Sequence, residues 1–233
     1  MPNVYGEKSN LKVQWEKMKD APLKERLTWM VQYFWLYALI IVSVIALGIS
    51  FLVVYIRGKQ PEVISGVFYN TYFEKEDENK IHDILTERLG IQKKGTRITL
   101  TPQTIDAEGS EYAIYQAQAI AARIAAKNLD LLGGTGTILQ QYMNPRDIED
   151  SLLGVLNEHL DEALLEALTE AGRIREVETA SGTYAFFVRI SGSRIAELLK
   201  IVSDDYWVGV ACTAPDREAV NEFFKMALEP PIG

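Results

Sequence analysis

Residues 128–143 read NLDLLGGTGTILQQYM, a short apolar run, then three glycines in four positions, then a helical pattern. A glycine-rich turn between a strand and a helix frees backbone N–H groups to hold a phosphate or carboxylate. Thr135 and Thr137 would add hydroxyls there. The stretch GGTGT is neither GxxxxGK[ST] nor GxGxxG, and no lysine follows to meet a phosphate. Two readings stand: a tight turn whose threonine caps the next helix, and a loop that contacts a small ligand.

The remaining reactive groups are sparse. The acidic run EKEDEN (74–79) lacks the central glycine of a calcium loop and reads as a solvated helix start. Asp204 and Asp205 are adjacent, so their side chains diverge, and a turn before a strand accounts for them better than a catalytic pair does. His82 and His159 sit in helical patterns among charged residues, neither with a partner at ligand spacing, and read as surface positions. Cys212, the one cysteine, lies in an apolar strand and reads as a buried inert thiol, with an intermolecular disulfide as the alternative. No catalytic set, metal site or cofactor is expected. The net charge of −8 argues against nucleic acid as a partner, since neutralising phosphates needs a basic face.

The elements that must position these residues alternate. ISGVFYNTYF (64–73) is β-branched and aromatic, TRITLTPQ (96–103) alternates with period two, and LDLL (129–132) is a short apolar strand. Between them lie the helical patterns 75–90 and 110–128, the first closing on Gly90 and the second opening at Ser110. NPRD (144–147) has the form of a helix start, with the pattern running to Gly172 and interrupted near Gly154. RIREVET and TYAFFVRIS, separated by ASG, read as a hairpin. A helix over 193–202, a strand over 206–214 and a helix over 215–228 close the chain.

Strands joined by helices predict an α/β fold: a mainly parallel five-stranded sheet (64–73, 96–103, 129–132, 184–191, 206–213) with helices on both faces, with an added edge strand from the hairpin as the alternative. Parallel sheets bind ligands outside the carboxyl ends of their strands. That rule brings three loops together as a candidate ligand site: Asn70, Thr71 and Tyr72; Gly133, Gly134, Thr135 and Gly136; and Thr213.

Residues 33–56, YFWLYALIIVSVIALGISFLVVYI, carry no charge over 24 positions, against the roughly 20 that a bilayer core requires. Aromatic residues stand at both ends. The reading is a transmembrane helix at 33–56, partnered by the lipid bilayer. It follows a basic cytoplasmic leader at 1–32 and leads through a linker at 57–63 to an extracytoplasmic domain at 64–233. Six Lys/Arg in 1–32 against three in the 20 residues after the span set this orientation. Leu11, Trp15 and Met18 recur at helical spacing in the leader, as an interfacial helix or as scattered apolar residues.

AIAARIAAKNLDLLGG resembles the segment of type 2 solute-binding proteins in which a helix leads into the third strand of the first lobe. YWVGVACTAPDREAVNEFFKMAL resembles their return strand and closing helix, and YAFFVRISGSRIAELL is similar to a segment of short membrane-tethered bacterial proteins. The resemblance spans roughly residues 24–228. It implies one solute-binding-type lobe, with no second lobe to close on a ligand. The expected function is a membrane-anchored, non-catalytic binding or interaction module of the cell envelope, engaging an envelope protein or a small ligand. The alternatives are a tethered small-ligand receptor and an envelope enzyme.

Overall fold

Glu62–Tyr69 (β1) is buried at seven of its eight positions, which only a strand with neighbours on both edges and layers on both faces achieves. The computed structural model describes residues 22–58, 61–104, 111–144, 146–215 and 217–232. The chain divides into two compact units, Met1–Lys59 and Gln60–Gly233.

In the first unit one helix, α1, spans Leu23–Gly58. Its side chains are described without interruption from 39 to 55, 17 positions and all exposed. Among the described residues no helix is long and apolar enough to cross a membrane, so the expected single-pass anchor, with its cytoplasmic leader and extracytoplasmic domain, is not supported. Leu11, Trp15 and Met18 lie outside the described residues, as does Ser110.

The second unit follows the order β1, α2 (Lys75–Arg88), β2 (Arg97–Gln103), α3 (Glu111–Ala125), β3 (Leu131–Gly134), α4 (Gly136–Gln140), α5 (Leu156–His159), α6 (Glu162–Glu170), β4 (Ile174–Thr179), β5 (Gly182–Arg189), α7 (Arg194–Leu198), β6 (Trp207–Val210) and α8 (Arg217–Leu228). The strands form one sheet in the order β2-β1-β3-β6-β5-β4. This corrects the expected mainly parallel five-stranded sheet. The sheet has six strands and is mixed, with parallel pairing for β1–β2 and β1–β3 and antiparallel pairing for β3–β6, β6–β5 and β5–β4.

The physical reason lies in the β5-to-β6 connection. A parallel crossover must carry the chain back along the whole strand. Eight residues of β5 rise about 27 Å, whereas the five residues of α7 rise about 7.5 Å. The helix expected over 193–202 stops because Lys200 takes a left-handed φ of 52°. The chain therefore turns at the sheet edge. Ile190 N–H donates to the Tyr206 carbonyl at 3.1 Å and β6 runs back beside β5, with Arg189 opposite Trp207.

Two apolar layers flank the sheet. On one face α2, α6, α7 and α8 bury Ile81, Leu85, Leu164, Ile195, Phe223 and Phe224 against Ile64, Phe68 and Val208. On the other, α3 and α4 bury Ile120, Ile124 and Leu139 against Val67, Tyr69 and Leu132. The exposed edge of β2 is covered from α2. The buried Glu78 carboxylate accepts the Leu100 N–H at 3.3 Å, and His82 Nε2 meets Thr96 Oγ1 at 3.1 Å. His82 is thus buried, where a surface position was expected.

Charge pairs tie the helices on the first face. Asp77 meets Lys200 at 2.6 Å, and Glu229 lies between Arg88 (2.5 Å) and Arg194 (2.9 Å). The hydrogen bond from Lys200 holds the Asp77 carboxyl below its usual range. For Glu229, burial pushes upward, and the bonds from Arg88 and Arg194 outweigh it. Burial pushes both His82 and His159 downward. A depressed folded-state pKa stabilises above the unfolded value, and that stability is lost as pH falls through the folded one. The melting temperature is expected to drift down below about pH 6.5 as the histidines charge, then fall more steeply below about pH 4 as Asp77 and Glu229 protonate. Calorimetry across pH checks both windows. His82→Gln combined with His159→Gln should remove the first, and Lys200→Met should flatten the second.

The segment expected as helix from 144 is mostly loop. Asn144 Oδ1 accepts the Arg146 N–H at 3.1 Å and Asp147 Oδ1 accepts the Glu149 N–H at 3.0 Å. These local turns compete with helix formation. Ser151, buried, accepts the Asn144 N–H at 2.8 Å and closes the loop.

Candidate functional site

The sheet's two ends carry different features. Because β6 runs against β3, the three loops expected to converge do not all meet. Asn70–Tyr72 follows the carboxyl end of β1, and Gly134–Gly136 that of β3, at one end of the sheet. Thr213 leaves β6 at the opposite end, where its hydroxyl donates to the Ile124 carbonyl at 2.6 Å.

At the first end the glycines answer to packing. Gly133 and Gly134 belong to strand β3, two residues later than expected. Gly133 lies opposite Phe68 in register, and a Cβ there would collide with the Phe68 ring and approach Tyr206 Cε1 to 3.1 Å. A Cβ on Gly134 would approach Ile138 at 3.3 Å. Thr135 precedes α4 in extended conformation and makes no side-chain cap bond. Gly136 is where the Arg175 guanidinium rests, and that guanidinium also lies 5.7 Å from the Trp207 ring centroid. Asn70 takes a left-handed φ of 56°, and its N–H donates to the Gln103 carbonyl at 2.7 Å. Thr71 is buried and donates to the Phe68 carbonyl at 3.1 Å, while Tyr72 projects with 72% of its surface exposed. Behind this edge, Tyr206 donates to the Tyr69 carbonyl at 2.8 Å and the hydroxyls of Tyr69 and Tyr142 meet at 2.7 Å.

At the opposite end is a recess of about 720 Å³, lined by the 146–149 loop, Val155, Asn157 and Glu158 around α5, and Ser181 and Tyr184 of the β4–β5 hairpin. This volume lies within the range of small-molecule sites. The leading segment is pinned to the sheet. Gly154 N–H donates to the Val210 carbonyl at 2.8 Å, and Cys212 N–H donates to Leu152 at 3.0 Å. Tyr184 is half-buried, and its hydroxyl donates to the Ser181 carbonyl at 3.2 Å, which holds its ring against the hairpin turn. Ser151→Ala should cost about 1–2 kcal/mol and loosen the 144–151 loop, read as a lower melting temperature with faster amide exchange over those residues.

The recess residues escaped the sequence reading because they come from three separated segments, none with a recognisable motif. The hairpin was legible, and so was the turn-forming character of Asn144 and Asp147. That these segments meet depends on the antiparallel return of β6, which the helical patterns hid.

Other chemical groups are committed to structure. The His159 ring lies on Gly154, where a Cβ would collide with Nε2 and approach the Cys212 Cα at 3.2 Å. Cys212 lies just past β6 and is exposed, a correction to the buried thiol expected. Asp130 lies between β1 and β3, where its Oδ2 accepts from Ser65 N at 2.7 Å and from Ser65 Oγ at 2.9 Å. No known protein family, curated protein or solved structure matches this chain.

Proposed function

We propose that the Gln60–Gly233 unit is a non-catalytic binding module whose ligand enters the recess between the 146–149 loop, α5 and the β4–β5 hairpin. The recess is the observation that carries the reading: about 720 Å³ with an apolar part from Ile148, Val155 and Tyr184 and a polar part from Arg146, Asp147, Glu149, Asn157, Glu158 and Ser181. Its lining is mostly polar, six residues of nine, with Ile148, Val155 and Tyr184 as the apolar minority. Elsewhere, His82 Nε2 meets Thr96 Oγ1 and the His159 ring packs on Gly154.

The test is a thermal-shift screen of the whole chain with amino acids, sugars, oxyanions and amines. A ligand at about one hundred times its Kd should add about 2.7 kcal/mol of stability. Ser181→Trp, at the exposed hairpin turn, fills the recess without touching the core and should abolish that shift. A ligand whose shift survives Ser181→Trp binds elsewhere and contradicts the reading.

A second reading places the ligand at the β1/β3 end. The exposed Tyr72 and the half-buried Arg175 guanidinium favour it. There, Tyr72→Ala and not Ser181→Trp would remove the shift.

A further inference from the structure

Four charged side chains line the recess: Arg146, Asp147, Glu149 and Glu158. All four are exposed and none forms an ion pair among the described residues, so three carboxylates stand against one guanidinium. One oxygen of Asp147 is used by the Glu149 N–H, which fixes the loop and keeps that carboxylate at the rim. Tyr184, held by its hydroxyl's bond to the Ser181 carbonyl, lines the same recess, and Ile148 and Val155 supply apolar surface. Three carboxylates beside an aromatic ring and two aliphatic side chains suit a positive charge carried on an apolar body, because the ring quadrupole and the carboxylates attract the same sign. A small anion would gain Arg146 and face three carboxylates.

We propose that the recess binds a small organic cation, an alkylated or aryl-substituted amine, with its ammonium toward Glu149 and Glu158 and its apolar part on Tyr184 and Val155. This rests on the recess being the ligand site. Arg146 then opposes binding and tunes it downward.

The experiment uses three probes on the whole chain, followed by saturation-transfer NMR and calorimetric titration: choline, its uncharged isostere 3,3-dimethylbutanol, and succinate. Choline is expected to bind, more weakly as salt rises, while the isostere and succinate do not. One unit charge at about 4 Å in water changes affinity about fivefold, so Glu158→Gln and Glu149→Gln should each weaken choline binding by up to that factor. Arg146→Gln should strengthen it by a similar factor, a gain that mere damage to the fold would not produce. Equal binding of the isostere, or tighter binding of succinate, abolished in either case by Ser181→Trp, would overturn the charge inference and leave the recess standing as the site. Choline binding that survives Ser181→Trp would overturn both. Choline that fails to bind would overturn the inference.

Discussion

Gly133→Val is expected to destabilise the Gln60–Gly233 unit by about 3 kcal/mol, lowering its melting temperature by about 10 °C. Gly133 is buried in β3 with no unusual backbone dihedral, so the requirement is one of space. The Phe68 ring occupies the volume a Cβ would take, and Tyr206 closes it from the other side at 3.1 Å. Both rings are among the largest fully buried side chains and neither has room to retreat. Gly136→Ala is the informative contrast. Its Cβ would meet the tip of the Arg175 side chain, which can swing away, so the expected cost is under about 1 kcal/mol. Equal costs at the two positions, read by denaturant titration, would mean that backbone freedom and not ring packing fixes this glycine run.

Phe223→Ala is expected to cost about 4 kcal/mol. Phe223 is fully buried on α8, its centroid 6.1 Å from that of Phe68 and 5.6 Å from that of Phe224 in an edge-on arrangement. It is a contact through which the last helix seats on β1. Truncation leaves a cavity between two elements fixed by other bonds, including Asn221 Oδ1, which accepts the Asp161 N–H at 3.0 Å. The site therefore collapses poorly, which puts the cost toward the upper part of the range. Lys225→Ala on the same helix, where Lys225 pairs only with Glu222 at the surface, should change stability by no more than about 0.5 kcal/mol. A small effect of Phe223→Ala would mean that α8 is dispensable to the core.

Much of the α/β alternation was legible in the residues. β1, β2 and the β4–β5 hairpin follow from β-branched and aromatic runs, and α8 from the spacing of Val220, Phe223 and Phe224. Strand direction was not legible, because a helical pattern between two strands does not state how far the helix reaches. SRIAELLKIV has the letters of a ten-residue helix, and a left-handed Lys200 cuts it to five residues. From that one residue follow the antiparallel return of β6 and the displacement of Thr213 from the edge it was expected to share with Gly133–Gly136. The same return forms the sheet end on which the recess sits. Asn144, Pro145 and Asp147 misled for a related reason. The residues that open helices also make Asx turns, and here the turn bonds from Asn144 and Asp147 win. The glycine run pointed to the right end of a strand. Its cause, aromatic rings folded over it from β1 and from the residue before β6, involves contacts far away in sequence.

The central claim is that ligand contact occurs at the hairpin end of the sheet. Amide chemical-shift mapping of the whole chain during titration with choline tests it most directly. The account predicts perturbations clustered at Arg146–Glu149, Asn157–Glu158 and Ser181–Tyr184, with the amides of Thr71, Tyr72 and Gly133–Gly136 unmoved. Perturbations confined to Thr71, Tyr72 and Gly133–Gly136, with the recess residues silent, would contradict it.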